Sequence, residues 1–249
     1  PPTAERTLQA EIWYPAADGT EPGTTYDTIL RDGVTPTTLT GSAARDAAPA
    51  EGSFPLVILS HGYPGNRYLM SHLAENLASK GYVVVAADHP DSTYDDMGAF
   101  ASTLVNRAVD QRFLLDSMAG LEDEIGAITD ADTAAVVGYS MGGYGAMIFG
   151  GAGLSQTAID RTEPERFIPP QKLLSRLAAG SEDHAALVDP RVKAIVAIAP
   201  WGRQHEFWDA DGLAGMTKPL LLVAGSDDDV SIYDAIRQIF DQTTAATRH

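Results

Sequence analysis

The feature that most constrains this chain is a strand, a sharp turn and a helix arranged around Gly138, Ser140 and Gly142. Residues 133–137 are small, β-branched and apolar, as in a buried strand, and residues 144–149 suit a helix packed on a sheet. Such a turn forces the residue between the glycines into a strained backbone conformation and exposes its side chain. Because the helix N-terminus stabilises negative charge, the pattern predicts Ser140 as a nucleophile. The alternative is an ordinary serine in a glycine-rich turn.

Apolar segments alternate with helical patterns along the rest of the chain. Buried parallel strands are predicted at 54–60, 82–87, 133–137, 192–199 and 218–225, and a half-exposed antiparallel strand at 7–14. Helices are predicted at 71–80, 102–126 and 232–242. This alternation predicts an α/β fold with a doubly wound, mostly parallel sheet and helices on both faces, whose active site lies at the C-terminal ends of the strands.

We predict a single domain over residues 1–249, in which two segments differ in composition from the rest. Residues 16–53 are rich in Gly, Pro, Thr and Asp and are predicted to form a surface excursion with a short helical turn at 26–31. Residues 153–190 are polar and leave from the active edge of the sheet. They are predicted as a small cap insertion, and the alternative is an insertion with no part in substrate binding.

The composition excludes several classes of function. The formal net charge of -17 argues against binding to nucleic acid or anionic membranes, and no apolar run approaches the roughly 20 residues that span a bilayer. With no cysteine, the chain has no disulfide, thiolate metal site or cysteine nucleophile. We predict no metal and no other cofactor. A secreted, periplasmic or cytoplasmic location fits this composition, and it predicts no oligomeric state.

His61, Gly62 and Tyr63 directly follow the predicted strand at 54–60. An ester carbonyl attacked by a serine becomes an oxyanion, which needs two preplaced hydrogen-bond donors. The backbone N–H groups of Met141 and Tyr63 are the predicted donors. The alternative is a plain turn at the end of a strand.

The acidic loop at 225–230 follows the predicted strand at 218–225. A catalytic serine needs a histidine to take its proton, and the histidine needs a carboxylate to orient it. Asp228 is the third residue after Gly225 and is the predicted acid. The alternative is a solvated acidic cap for the next helix, and the spacing matches no standard calcium loop.

The sequence has no convincing candidate for the general base that takes the proton from Ser140. In this architecture the order is serine, acid, histidine, and only His249 follows Asp228. His249 comes directly after the helix at 232–242, so it is expected at the far end of the sheet from Ser140. We therefore predict that the last strand and the catalytic histidine follow residue 249. The alternative is a base recruited from elsewhere, such as His205.

Four further residues follow predicted strands at the active edge. His61, His89, Trp201 and His205 are predicted to line the substrate pocket, and His61 is also expected to brace the oxyanion loop. His72 and His184 are predicted to lie on the surface of a helix and of the cap, respectively.

Over nearly its whole length the chain resembles the α/β-hydrolase superfamily, and most closely its dienelactone-hydrolase-like and platelet-activating-factor acetylhydrolase-like esterases. The segments that carry the resemblance are 6–8, 11–16, 60–67, 88–92, 138–143 and 225–230. It implies a serine esterase with Ser140 as nucleophile, Asp228 as acid, and Tyr63 and Met141 as oxyanion donors. The chain departs from the family in having no cysteine nucleophile, which true dienelactone hydrolases use, and no C-terminal strand with its histidine.

The predicted function is a serine carboxylester hydrolase that acts through an acyl-enzyme on a small-molecule or polymeric ester. The position of Tyr63 is also similar to that of an aromatic residue in cutinase-like polyesterases, which packs on the acyl group. A polyester hydrolase and a lipid acetylhydrolase are therefore alternatives. The alternative from another class is a non-catalytic binding protein with the same fold.

Overall fold

The computed structural model describes residues 6–249, which form eight strands and eight α-helices. The strands are β1 (Ala10–Trp13), β2 (Thr24–Ile29), β3 (Pro36–Gly41), β4 (Phe54–Ser60), β5 (Val83–Ala87), β6 (Thr129–Tyr139), β7 (Val192–Ile198) and β8 (Leu220–Val223). The helices are α1 (Ser71–Ala78), α2 (Phe100–Ala119), α3 (Glu124–Ile128), α4 (Met141–Gly150), α5 (Gln156–Ile159), α6 (Glu182–Leu187), α7 (Ala210–Ala214) and α8 (Tyr233–Gln242). Short 3-10 segments occur at Glu165–Phe167, Pro170–Leu177 and Arg203–His205.

Six strands form the central sheet in the order β1-β5-β4-β6-β7-β8. Strands β4 to β8 pair in parallel, and β1 pairs antiparallel with β5 at the edge. All five residues of β5 are buried, as expected of a β-branched and apolar strand covered on both faces. The predicted α/β architecture with a mostly parallel sheet is confirmed, and it places the ends of β4, β6, β7 and β8 at one edge.

Strands β2 and β3 form a separate antiparallel hairpin, so the helical turn predicted at 26–31 is wrong. Alternation in β2 buries Tyr26 between exposed neighbours, and the Tyr26 hydroxyl donates to Glu75 Oε1 of α1 at 2.6 Å. The Trp13 indole N–H donates to the same hydroxyl at 2.8 Å. These bonds attach the hairpin to the sheet and α1.

The helix predicted at 102–126 is two helices, because the chain leaves the helical path after Gly120. The Asp123 carboxylate then caps α3 by accepting the N–H groups of Ile125 and Gly126, both at 2.9 Å. The strand predicted at 133–137 is longer than expected and continues to Tyr139.

The polar segment 153–190 folds into α5, two 3-10 segments and α6. It is attached to the domain through Gly153 and Ser155, whose N–H groups donate to the carbonyls of Gly212 at 3.1 Å and Phe207 at 2.9 Å. His184 is buried and its Nε2 lies 3.0 Å from the carbonyl oxygen of Ile148, so its predicted surface position is wrong. Its helix packs against α2 and the 3-10 segment Pro170–Leu177, and the ring points inward to the last turn of α4.

Within residues 6–249, no helix is both long enough and apolar enough to cross a membrane.

Candidate active site

Ser140 lies between β6 and α4 in the strained conformation expected of a nucleophile, with φ 53° and ψ −111°. Backbone hydrogen bonds on both sides of Ser140 hold the residue in this conformation. Its N–H donates to Ile198 at 2.8 Å, and its carbonyl accepts from the N–H groups of Tyr144 at 2.9 Å and Trp201 at 3.2 Å. The turn is therefore held from β7, from α4 and from the loop after β7.

The first glycine of the turn is required by close backbone approach. A Cβ on Gly138 would lie 2.2 Å from the carbonyl oxygen of Gly142. A side chain at this position would therefore separate β6 from the first turn of α4.

The loop after β4 reaches Ser140 through Gly62. A Cβ on Gly62 would lie 3.3 Å from the Cβ of Ser140 and 3.1 Å from the ring of Tyr139. The loop after β4 is thus in contact with the serine. Tyr63 follows immediately, and its hydroxyl donates to the carbonyl of Met97 at 2.9 Å.

The imidazole of His61 holds the peptide that carries the Tyr63 N–H. Its Nε2 accepts the backbone N–H of His89 at 3.2 Å, so Nδ1 carries the proton and donates to the carbonyl of Gly62 at 2.7 Å. In a trans peptide the N–H points opposite to the carbonyl. The Tyr63 N–H therefore points away from His61.

His61 and His89 do not line a pocket, because their side chains are only 2% and 1% exposed, respectively, and this part of the prediction is wrong. Burial, followed by the charge of Arg107, lowers the pKa of both imidazoles well below the ordinary value, so both are neutral. The bracing of the oxyanion loop by His61 agrees with the hydrogen bond to Gly62.

His89 belongs to a buried row of side chains that resembles a catalytic triad in composition. The Ser60 hydroxyl lies 2.9 Å from Nε2 of His89, and Nδ1 lies 3.1 Å from Oδ2 of Asp110. Arg6 also bonds this carboxylate at 2.9 Å. Because Ser60 is fully buried, no substrate reaches it, and the row serves packing rather than acyl transfer.

Trp201 and His205 belong to an aromatic cluster that we define as Tyr63, Phe100, Phe167, Trp201 and His205. The His205 ring lies 4.9 Å from the rings of both Phe167 and Trp201, and Tyr63 joins the cluster through Phe100 at 4.8 Å. The cluster connects the oxyanion loop, α2, the segment 153–190 and the loop after β7. Burial, together with Arg161 and Arg166, lowers the pKa of His205.

Asp228 follows β8 at the same edge of the sheet as Ser140. Its Oδ1 accepts the backbone N–H groups of Val230 at 2.9 Å and Ser231 at 2.8 Å. The Ser231 hydroxyl donates to the carbonyl of Ala199 after β7 at 2.8 Å. The acidic loop is therefore folded back against the loop that also contacts the serine turn.

His249 lies beside the first half of β8. Its N–H donates to Leu220 at 3.1 Å, and its carbonyl accepts from Leu222 at 2.9 Å. Through the pairing of β8 with β7 and of β7 with β6, His249 is in register with Val137. Ser140 lies about 10 Å further along the strands and about 14 Å across them, from the standard spacings.

Arg107 and Gln111 of α2 contact the loop after β4 and the first turn of α4, respectively, and the sequence reasoning missed them. Arg107 donates to the carbonyl of His61, and Gln111 Nε2 donates to the carbonyl of Gly142 at 3.0 Å. Their signal was present: two long polar residues stand one turn apart on the face of α2 that otherwise carries Leu104, Leu115 and Met118.

Comparisons with known proteins agree with this geometry. A family model described as "alpha/beta hydrolase fold" matches residues 55–152. Cutinase est1 of Thermobifida alba is 35% identical over 95 residues, which are 38% of this chain and 30% of that protein. Cutinase 1 of Thermobifida cellulosilytica is 29% identical over 101 residues, covering 38% of this chain and 34% of that protein. The matched part therefore spans about a third of the length of these relatives.

A ferulic acid esterase from Streptomyces cinnamoneus has a similar structure, with a TM-score of 0.61 and 23% identity. The likeness covers 97% of this chain and 64% of the esterase, and at this identity it concerns the fold. Together with the strained serine turn and the parallel sheet, these similarities show that the chain has the α/β-hydrolase fold.

Proposed function

We propose that the protein is a serine carboxylester hydrolase in which Ser140 attacks the ester carbonyl. The observation that carries this proposal is the strained Ser140 turn in contact with the Gly62 loop. The similarity of the chain to cutinases and to a ferulic acid esterase supports the same reaction class. The narrower likeness to dienelactone-hydrolase-like and acetylhydrolase-like esterases stays a prediction.

The proposed oxyanion donors are the N–H groups of Tyr63 and Met141. In each of the two peptides, the carbonyl on the side opposite to the N–H group accepts a hydrogen bond. His61 donates to the carbonyl of Gly62, and Tyr144 and Trp201 donate to the carbonyl of Ser140. Their N–H groups are therefore free to face a substrate, and their orientation is set before any ester binds. Preorganised donors of this kind stabilise the tetrahedral intermediate without a further reorganisation cost.

In the proposed reaction, the Ser140 hydroxyl loses its proton to a base and adds to the carbonyl carbon. The alcohol leaves with that proton, and water then releases the acid from the acyl-enzyme. Asp228 is the proposed acid that orients the base. The rings of His61, His89 and His184 are bonded elsewhere. The histidine predicted to follow residue 249 stays a prediction, as does its alternative, His205.

Hydrolysis of a polyester is the second candidate, and exposed apolar side chains beside Ser140 favour it. Tyr139 is 40% exposed and packs on Gly62, and Met97 is 47% exposed beside Tyr63. An open apolar rim suits a polymer chain lying on a surface better than a small solute that must be enclosed. The similarity of the chain to proteins named cutinases supports the same candidate.

The test of the proposed function is turnover of a p-nitrophenyl ester by the full-length protein and by its Ser140→Ala variant. We expect hydrolysis by the first and background rates for the second, and equal turnover by both contradicts the proposal. The Ser60→Ala variant is the matched control, because Ser60 also has a histidine partner but is sealed from solvent.

Labelling separates the enzyme from a non-catalytic binding protein. A fluorophosphonate probe followed by peptide mass spectrometry should modify Ser140 and leave Ser60 unmodified. Absence of both label and turnover in the full-length protein favours the binding protein. For the polyester candidate, Tyr139→Ala should slow product release from a polyester film more than hydrolysis of the soluble ester. Equal slowing contradicts it.

A further inference from the structure

Helix α2 runs behind both loops that supply the proposed oxyanion donors. Arg107 uses its two terminal nitrogens to donate to the carbonyl of His61 and to the hydroxyl of Ser92. Gln111, one turn later, donates from Nε2 to the carbonyl of Gly142 at 3.0 Å. A single helix therefore holds one carbonyl on the oxyanion loop and one in the first turn of α4.

These two side chains are confined by their surroundings. Both are buried, and a Cβ on Gly145 of α4 would lie 2.5 Å from Cγ of Arg107 and 2.9 Å from Nε2 of Gln111. Helix α4 thus lies directly on them, and only a glycine allows this approach. Side chains packed this closely have little freedom to change rotamer.

Keeping a guanidinium in this position is energetically unfavourable unless its donors are used. Burial lowers the pKa of Arg107 to about 9, although the nearby charge of Asp110 opposes the shift. A leucine or methionine would pack on this face of α2 without that cost. Packing of the core therefore does not account for the two hydrogen bonds that Arg107 and Gln111 donate to backbone carbonyls.

We propose that Arg107 and Gln111 are positioning residues that set the separation between the Tyr63 and Met141 N–H groups. The inference rests on the proposed ester hydrolysis. The carbonyls they hold belong to His61 and Gly142, which lie within two residues of the donors on their respective loops. Because both bonds come from one rigid helix, displacement of either loop alone breaks a buried hydrogen bond.

The decisive variant is Gln111→Met, which keeps the length of the side chain and removes the donor. A misplacement of about 1 Å in an active site costs on the order of 100-fold in rate. We expect kcat to fall about 10- to 100-fold and KM to change less than about twofold, because the donors act on the charge that develops in the transition state.

Arg107→Lys is the conservative second variant. A lysine keeps the charge but has no planar fork, so it does not span the two acceptors in the way arginine does. We expect an intermediate loss of kcat, whereas Arg107→Met should lose at least as much as Gln111→Met. The ranking of Arg107→Lys between wild type and Arg107→Met is not expected of a residue that only fills space.

Leu115→Ala is the matched control for a purely structural effect. Leu115 is fully buried on the same helix, one turn beyond Gln111, and belongs to the apolar core. Its truncation should lower Tm while kcat of the folded enzyme stays within about twofold. A Gln111→Met variant with lowered Tm and unchanged kcat therefore overturns the proposal.

Crystal structures of the wild type, Gln111→Met and Arg107→Lys complete the experiment. We expect the distance between the Tyr63 and Met141 nitrogens to differ from wild type in both variants, and an unchanged distance in both overturns the proposal. This comparison does not depend on turnover. If the wild type hydrolyses no ester, the proposed function fails, and the crystal structures still decide the positioning role.

Discussion

Gly142 lies directly against Ser60, since a Cβ placed on Gly142 would be 2.0 Å from the carbonyl oxygen of Ser60. The same Cβ would be 2.7 Å from the carbonyl oxygen of His61. The second glycine of the serine turn therefore contacts the end of β4 and the start of the oxyanion loop. This contact brings the two loops together, and it explains in physical terms why the turn requires a glycine there.

We predict that Gly142→Ala lowers the free energy of unfolding by about 1–3 kcal/mol, the usual cost of overpacking. It should also lower kcat more than Gln111→Met does, because the methyl group forces the two loops apart. Urea denaturation and ester turnover measure the two effects. Gly98→Ala is the control, since its nearest contact is Asp96 Oδ1 at 4.0 Å. A Gly142→Ala variant that is as stable and active as Gly98→Ala would show that the turn tolerates a side chain.

Asp228→Asn should lower kcat by about 100- to 10,000-fold, the range expected when the acid no longer orients and stabilises a charged histidine. The loop should keep its fold, because the asparagine oxygen still accepts the N–H groups of Val230 and Ser231. Turnover and Tm are the measurements. Asp227→Asn and Asp229→Asn, which change exposed neighbours, are the matched controls. Equal activity in all three variants would reject Asp228 as the acid.

His249→Ala should leave ester turnover within about twofold of wild type. The residue pairs with Leu220 and Leu222 near the start of β8, and its imidazole is too short to reach Ser140 over the roughly 17 Å that strand spacings imply. The assay compares this variant with His205→Ala in the full-length protein. Loss of activity in His249→Ala alone would assign the base to His249 and contradict the pairing.

Stability should fall as the pH drops below 6.5, because His61 and His89 are buried in the neutral form. Their native pKa values are lowered from 6.5, so below that pH the unfolded chain binds protons that the native chain does not. Below pH 6.5, each histidine lowers the free energy of unfolding by about 1 kcal/mol per pH unit until its native pKa is reached. Above pH 6.5 both histidines are neutral in the native and unfolded states, and this loss is absent. The raised pKa of Asp110 acts with the opposite sign at lower pH, where the native state takes up a proton before the unfolded state does.

Urea unfolding at pH 7.5 and pH 5.5 measures this dependence. The His89→Gln variant removes one of the two buried imidazoles and should show a difference between the two pH values that is smaller by about 1 kcal/mol. An identical difference in the variant and the wild type would mean that the native pKa of His89 is not lowered.

Several elements could be predicted because their signals are local. Strand β4 begins and ends at the predicted residues, and Ser140 has the strained φ that its flanking glycines indicate. The hairpin of β2 and β3 was missed because its threonines and single buried tyrosine carry a weak alternation within a segment of turn residues. Its pairing depends on contacts with α1, which no local pattern describes.

The candidate site likewise has features that the sequence predicts and features that only the structure shows. His61 and His89 follow strands at the active edge, and this placement alone suggested pocket residues. The structure buries both rings against each other, with centroids 4.9 Å apart. Whether a side chain at a strand end turns outward or inward depends on what α2 brings behind it, and α2 is distant in sequence.

The sequence by itself determined the order along the chain of the six strands of the central sheet, the serine turn and the loops that follow β4 and β8, because hydrophobic periodicity and glycine requirements act within a few residues. Only the tertiary structure decided which histidines are sealed from solvent, and that Arg107 and Gln111 hold one carbonyl in the loop after β4 and one in the first turn of α4. Those outcomes depend on the approach of α2 and α4 at Gly145, a contact between segments far apart in the chain. Burial and hydrogen-bond partners of polar side chains are set by such long-range contacts, for which periodicity carries no signal.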